Sequence, residues 1–172
     1  GAFILHSFAL RYQQGRAREV TGGLETPESG HPRILAGLSL LAAALVAAGR
    51  VRDARLILDR TAVGETIRLP NDNLWLGATA LYAGVAAATG TPEQRGLMDR
   101  TLRPYADHWC VFGAGGAVFG TGSHWLGQLA AAAGDVTSAH AHLERAVELS
   151  EIAKADYWAE IARAQLDAVS WP

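Results

Sequence analysis

From Ser123 to Ala146 the chain reads SHWLGQLAAAAGDVTSAHAHLERA, and this order of small and large residues constrains the fold more than any other feature of the sequence. Leu126-Gly127 and Ala130 precede Gly134-Asp135, and Ala139, Leu143 and Ala146 then follow at i, i+4 and i+7. The last three share one face of a helix. On the first segment Gly127 and Ala130 leave room for a close neighbour, and Leu126 fills the gap beside them. Gly134 can take the positive φ that ends a helix, and Asp135 can cap the next one. The segment therefore predicts two antiparallel helices in close contact, with Ala139 and Ala146 buried where they touch.

The signature recurs upstream. Ile4, Phe8 and Tyr12 stand four residues apart, which predicts a helix over 3–13 ended by Gly15. Arg16 to Gly30 reads as a short helix around Glu19 followed by a turn containing Gly, Pro and Ser. Pro32 suits a first helical turn, and Leu35, Leu38, Leu41, Ala42 and Leu45 form a stripe that stops at Gly49. A second helix follows over 51–61 with Ala54, Ile57 and Leu58 facing inward. Aligned on their turns, Gly49-Arg50 matches Gly134-Asp135, Ala54 matches Ala139, and Leu58 matches Leu143. A third hairpin is predicted over 73–90 and 92–107, with Asn71-Asp72 as cap and Pro92 at the first helical position. Gly96 stands there where the other repeats have alanine. The segment WCVFGAGGAVFGTG, Trp109 to Gly122, has five glycines and no charge and predicts a buried, extended or irregular connector. Strand signals are almost absent. A last helix is expected from Glu151 or Ile152 to Ala168, on a stripe of Ile152, Ala155, Ala159, Ala162 and Leu166.

Composition narrows the function classes. At 172 residues, 49% of them hydrophobic, the chain can build one continuous core, as a single domain over 1–172 or a stretch of a longer array. The longest apolar run, Leu38 to Ala48, is too short to span a bilayer. A net charge of −2 argues against binding nucleic acid or anionic lipid by bulk attraction. The single cysteine, Cys110, allows no internal disulfide, and a cytoplasmic location is expected. The chain opens on Gly1-Ala2 and enters an apolar helical pattern at once, which suggests a piece of a larger protein.

Over Phe3 to Ala168 the sequence resembles the tetratricopeptide-like (TPR-like) C-terminal region of large bacterial multidomain regulators. These carry an AAA-type nucleotide-binding module upstream, joined to a LuxR-type DNA-binding domain, a bacterial transcriptional activator domain or an adenylate/guanylate cyclase domain. The resemblance is carried by Leu74-Trp75-Leu76-Gly77, Leu102-Arg103-Pro104-Tyr105-Ala106, Val118 to Ala131, Gly134-Asp135 through Ala146, and Ala164-Gln165-Leu166. Trp109 and Cys110 depart from it, standing where small or β-branched residues are usual. It implies an all-α fold, a right-handed superhelix of about four antiparallel helical hairpins, and it brings no catalytic set with it.

Site candidates are few. Gly113-Ala114-Gly115-Gly116 lacks the following lysine, the Ser/Thr and the strand–turn–helix context of a phosphate loop, so its glycines read as packing or bending positions. His108, Cys110 and His124 have donor atoms that zinc prefers but no paired spacing, and His140 and His142 lie on different helix faces. Cys110 sits in an apolar run that favours an inert thiol over a nucleophile paired with His124. No catalytic residue, metal or cofactor is therefore assigned. Arginines 50, 52, 55, 60, 95, 100 and 103 alternate with Asp53, Asp59 and Asp99 as a solvated helix face does. Among the aromatics Trp75, Tyr82, Trp109, Trp125 and Trp158, core positions are the default. Because first helices of such hairpins line the concave side, Asn71, Asn73, Trp75, Ser123, His124 and Trp125 are the candidates to line a groove.

The leading expectation is a non-catalytic interaction module that holds a protein partner or neighbouring domains of a parent signalling or transcription-regulating ATPase, without direct nucleic-acid or membrane contact. Homodimerisation through exposed terminal helices is a further expectation. The alternative is a small-molecule sensor enclosing a ligand near Trp75, Trp109 and Trp125. An apolar cavity with convergent polar groups favours the sensor, and an open polar groove favours protein binding.

Overall fold

The structure is a computed structural model that describes residues 2–24 and 32–169. The turn expected up to Gly30 falls largely outside them. Helix accounts for 71% of the structure, far above the roughly one third of an average globular protein. Helix α1 (Ala2–Gln13) leads through a 3-10 turn (Ala17–Val20), the short helix expected around Glu19, to α2 (Thr21–Leu24). Three helical hairpins follow: α3 (Pro32–Ala47) with α4 (Val51–Thr61), α5 (Trp75–Thr89) with α6 (Pro92–Leu102), and α7 (Gly122–Ala132) with α8 (Val136–Ile152). Helix α9 (Asp156–Ala168) closes the described chain.

Four helix ends share one hydrogen-bond pattern. After α3, Gly49 N–H reaches Val46 O and Arg50 N–H reaches Leu45 O; after α7, Gly134 reaches Ala131 and Asp135 reaches Ala130. The ends of α1, at Gly15-Arg16, and of α8, at Lys154-Ala155, repeat it. This double bond back into the last turn needs one residue of positive φ. Gly15, Gly49 and Gly134 supply it at +67°, +75° and +77°, and Lys154 at +54°. Asp135 then caps α8 by accepting from Ser138 N–H at 3.0 Å. The final break is three residues wide, over 153–155, and corrects the expected last helix. Residues 151–152 belong to α8, Ile152 is 72% exposed, and only Ala159 and Ala162 of the expected stripe are fully buried.

The α7–α8 contact has the expected register. Ala139, Leu143 and Ala146 are buried, and a Cβ at Gly127 would stand 2.6 Å from Leu143 Cγ. Ala54 and Leu58 are buried at the equivalent places of α4. Helix α5 is apolar around its whole circumference, and it packs on α3, α4, α6, α7 and the strands that follow, burying nearly every position from Gly77 to Ala86. Tyr82 lies in this interior and donates its hydroxyl to Leu35 O at 2.8 Å.

The connector is extended and largely buried, as expected, but its strands depart from the all-α expectation. It is a β-hairpin, β3 (Trp109–Phe112) against β4 (Ala117–Thr121), antiparallel with Val111 opposite Val118. Gly113 and Gly115 take positive φ in its loop, and Cys110, Phe112 and Phe119 face inward. Phe119 meets Phe8 and Tyr12 of α1 edge-on at 5.9 Å. Gly77 on α5 accepts Phe112 so closely that a Cβ there would lie 2.7 Å from Phe112 Cβ. A second antiparallel pair earlier in the chain, β1 (Ala62–Val63) with β2 (Thr66–Ile67), turns on Gly64 at φ +59°. The described residues are thus mainly helical with two small strand pairs.

Candidate functional site

Helices α1, α3, α5, α7 and α9 surround an apolar cleft of roughly 530 Å³. Its walls are largely alanine: Ala43 and Ala47 from α3, Ala87 and Ala88 from α5, and Ala131 and Ala132 from α7. These short side chains leave the space that longer ones would fill. Trp125 forms part of the floor, its ring lying over Gly84, where a Cβ would meet Trp125 Cζ3 at 2.6 Å. Its indole Nε1–H donates to Phe119 O at 2.6 Å, so the helix start and the β-hairpin fix the ring together.

Three polar side chains enter this apolar surround: Tyr12, Gln128 and Gln165. Burial raises the Tyr12 phenol above its ordinary pKa and keeps it neutral. The Gln128 amide lies 2.9 Å from His124 Nε2. Gln165 Oε1 is buried without a donor. Among the described residues no Asp, Glu, Lys, Arg or His lines the cleft.

Behind Gln128, His124 is held between Trp125 and Trp158, with ring centroids at 4.9 and 5.4 Å. Burial lowers its pKa to about 4, so the imidazole is neutral at physiological pH. Its Nδ1 and the neighbouring Ser123 Oγ are buried without partners. Cys110 is buried and free, and burial pushes its thiol up to about 12, which leaves essentially no thiolate at neutral pH. Among the described residues no group of three or more His, Cys, Asp or Glu is placed to hold a metal ion.

The six groove candidates separate into two groups. Ser123, His124 and Trp125 come together in the first turn of α7, but Ser123 and His124 are buried and only Trp125 reaches the cleft. Asn71 and Asn73 lie exposed in the loop before α5, where Asn73 O accepts from Gly113 N–H and Asp72 Oδ1 accepts from Leu74 N–H. Trp75 packs against Tyr105 at 5.3 Å instead of reaching the cleft. Trp109 sits on the β-hairpin, also outside the cleft. Sequence reasoning missed Gln128, Gln165 and the alanine walls.

A second groove of about 380 Å³ runs between α6 and the α7–α8 hairpin. Arg95, Asp99, Arg103, Asp135 and His142 line it, so it is polar and of mixed charge. No helix in the described structure is long and apolar enough to cross a membrane. No family model, curated protein or solved structure matches the chain.

Proposed function

We propose that the chain is a non-catalytic sensor module, a TPR-like superhelix whose concave side binds an apolar small molecule, within a larger bacterial signalling or transcription-regulating ATPase. The observation that carries this reading is the cleft: apolar walls from the first helix of each hairpin, with three neutral polar groups converging in it. In a TPR-like array the first helices line the concave face, and a cleft walled by α3, α5 and α7 supports that reading. The shared helix-end pattern and the small-residue register of α3–α4 and α7–α8 support the repeat reading. The buried Cys110 thiol and the neutral, buried His124 support a binding role over catalysis, since neither is poised as a nucleophile or base. In this reading occupancy of the cleft braces α1 and α9 against the central helices and is passed to neighbouring domains of the parent chain, in a cytoplasmic setting.

The polar groove between α6 and α7–α8 favours a second reading, a protein-interaction scaffold whose partner presents mixed charge to Arg95, Asp99 and Arg103. Titrating the uncharged probe pyrene into the ¹⁵N-labelled chain separates the two. The sensor reading expects saturable shifts at Gly84, Ala88, Ala131 and Ala168, abolished by the cleft-filling substitution Ala131→Trp. Ala131 is exposed, so that variant keeps the core intact. Shifts confined to Arg95, Asp99 and Arg103, or no saturable change, would reject the cleft as the site.

A further inference from the structure

Resting on that reading, we infer that the ligand is an amphiphilic cation, with an apolar body on the floor of the cleft and a positively charged head at its rim, held by the carboxyl ends of helices. The cleft has two zones. Leu81, Val85, Trp125 and Leu143 are buried and form an apolar floor. Ala47, Ala88, Ala131, Ala132 and Ala168 are exposed and form the rim. Each of these five lies in the last turn of its helix. Ala47 ends α3, Ala132 ends α7, Ala168 ends α9, and Ala88 stands one residue before the end of α5. A hairpin returns the chain to the side from which it started, so the first helices of successive hairpins finish at the same place. Here that place is one opening.

The last turn of an α-helix leaves carbonyl groups without intrahelical donors, and the aligned peptide dipoles place about half a negative charge there. Among the described residues no backbone N–H reaches the carbonyls of Ala47, Ala88 or Ala132. None of α3, α5, α7 and α9 has a basic residue in its last turn. The end of α5 is answered from within the fold, where Arg55 donates to Thr89 O at 2.6 Å and Arg95 donates to Gly90 O at 2.7 Å. The ends of α3, α7 and α9 meet the cleft, whose described lining holds no charged side chain. Nor does any described residue from the first turns of α4, α6 or α8, whose positive ends would offset the field, line it. Helix-end fields fall off within about one turn, so the negative ends prevail at the rim. Tyr12, Gln128 and Gln165 are neutral and leave the sign of the field to the helices. An anionic head at the rim meets partial charges of its own sign. A cationic head meets the opposite sign and keeps water on its outer side, which limits its desolvation cost, while its body covers the apolar floor.

Equilibrium dialysis of the 172-residue chain at neutral pH and low ionic strength against three naphthalene probes tests the inference. Trimethyl(naphthalen-1-ylmethyl)ammonium carries the positive head, 1-neopentylnaphthalene is its uncharged isostere, and naphthalen-1-ylmethanesulfonate is the anion. The ammonium is expected to bind tightest, the neopentyl probe less tightly, and the sulfonate about thirtyfold more weakly than the ammonium. That gap should shrink severalfold at about 1 M salt, where the screening length is about 3 Å. Ala132→Lys places a competing charge at the end of α7 and should bring the ammonium and the sulfonate to within about threefold of each other. Ala132→Gln, similar in reach but neutral, should keep the order. Thr66→Lys adds the same charge at an exposed position outside the cleft lining and should keep the gap. Ala131→Trp should lower binding of the ammonium and neopentyl probes alike. Neopentyl binding tighter than the ammonium, or sulfonate binding equal to it, overturns the positive head while leaving the cleft as a binding site. Equal loss of preference in Ala132→Lys and Thr66→Lys assigns the preference to net charge and also overturns it. Saturable binding of none of the three overturns the inference together with the sensor reading.

Discussion

The turn between α7 and α8 and the turn between α8 and α9 have the same backbone, and only one of them is written in the sequence. Both close a helix with paired hydrogen bonds into its last turn and one residue of positive φ. At the first, Gly134 takes φ +77° and Asp135 caps the helix that follows. At the second, Lys154 takes φ +54° and Ala155 offers no side-chain cap. The packing partners differ in the same way. Gly127 and Leu143 fit together at a distance that only glycine permits, whereas α9 meets its neighbours through Trp158, laid over Gly120 and against His124. The first hairpin is specified by spacing along the chain, the second by contacts made after the chain has folded.

The largest effect expected bears on the α7–α8 register. Ala139 is fully buried, and Ala139→Glu would force four extra heavy atoms and a charge into the helix contact. A loss on the order of 4 kcal/mol is expected, visible in denaturant midpoints with an unchanged slope. An unaltered midpoint would mean that α7 and α8 do not meet at this face.

Next comes the start of α7, where the β-hairpin passes into the helix. A Cβ at Gly122 would lie 2.1 Å from Tyr105 O, a backbone atom that cannot rotate away. Gly122→Ala should cost about 3 kcal/mol, at the upper end of ordinary overpacking. Gly134→Ala, with nothing within 4 Å of the added carbon, serves as the control. If the two variants melt together, the hairpin does not dock on the Tyr105 turn as described.

A third prediction probes the α7–α9 contact through pH. The His124 imidazole titrates near 6.5 when unfolded and near 4 in the fold, because burial disfavours its charged form. Between those values the unfolded chain binds the extra proton, so stability falls as pH falls, and the loss is complete once pH is below about 4. From pH 7 to 5 the group removes about 2 kcal/mol. The lowered carboxylates, Asp59, Asp107 and Asp135 among them, lose their contributions at lower pH, which keeps this window largely to histidine. His142, half-buried and shifted the same way, adds in the same direction. His124→Gln should therefore remove most of the change in melting temperature between pH 7 and 5, and an equal change in that variant would contradict the buried, neutral imidazole.

What could be read in advance follows from how each element is specified. Gly49, Ala54 and Leu58, like Gly134, Ala139 and Leu143, act through fixed spacings, so the helical hairpins were legible. The hairpin over 109–121 was read as a connector because its register depends on Phe112 meeting Gly77 and Phe119 meeting Phe8, contacts between residues far apart in sequence. The cleft was hidden for another reason. Ala47, Ala88 and Ala131 look the same in sequence whether they face a partner helix or an open space. Trp125 was found through its size, but Gln165, one of the polar groups in the cleft, sat within a run read only as helix.

The smallest effect, and the most direct test of the two turns, comes from exchanging their residues. A left-handed conformation costs a residue with a Cβ roughly 1–2 kcal/mol, and glycine gives back part of that through its greater freedom when unfolded. Gly134→Ala should therefore destabilise by about 1 kcal/mol, and Lys154→Gly should stabilise by about half that. Both turns keep their backbone hydrogen bonds in these variants, so the pair isolates the conformational term from packing. Lys154 lies on the surface. A rise of about 1–2 °C in melting temperature for Lys154→Gly would show that the α8–α9 turn is held in shape against the preference of its own residue, by Trp158 docking on Gly120 and His124. A fall would show instead that α8 and α9 are not separated by a left-handed residue, and the two turns would no longer be comparable.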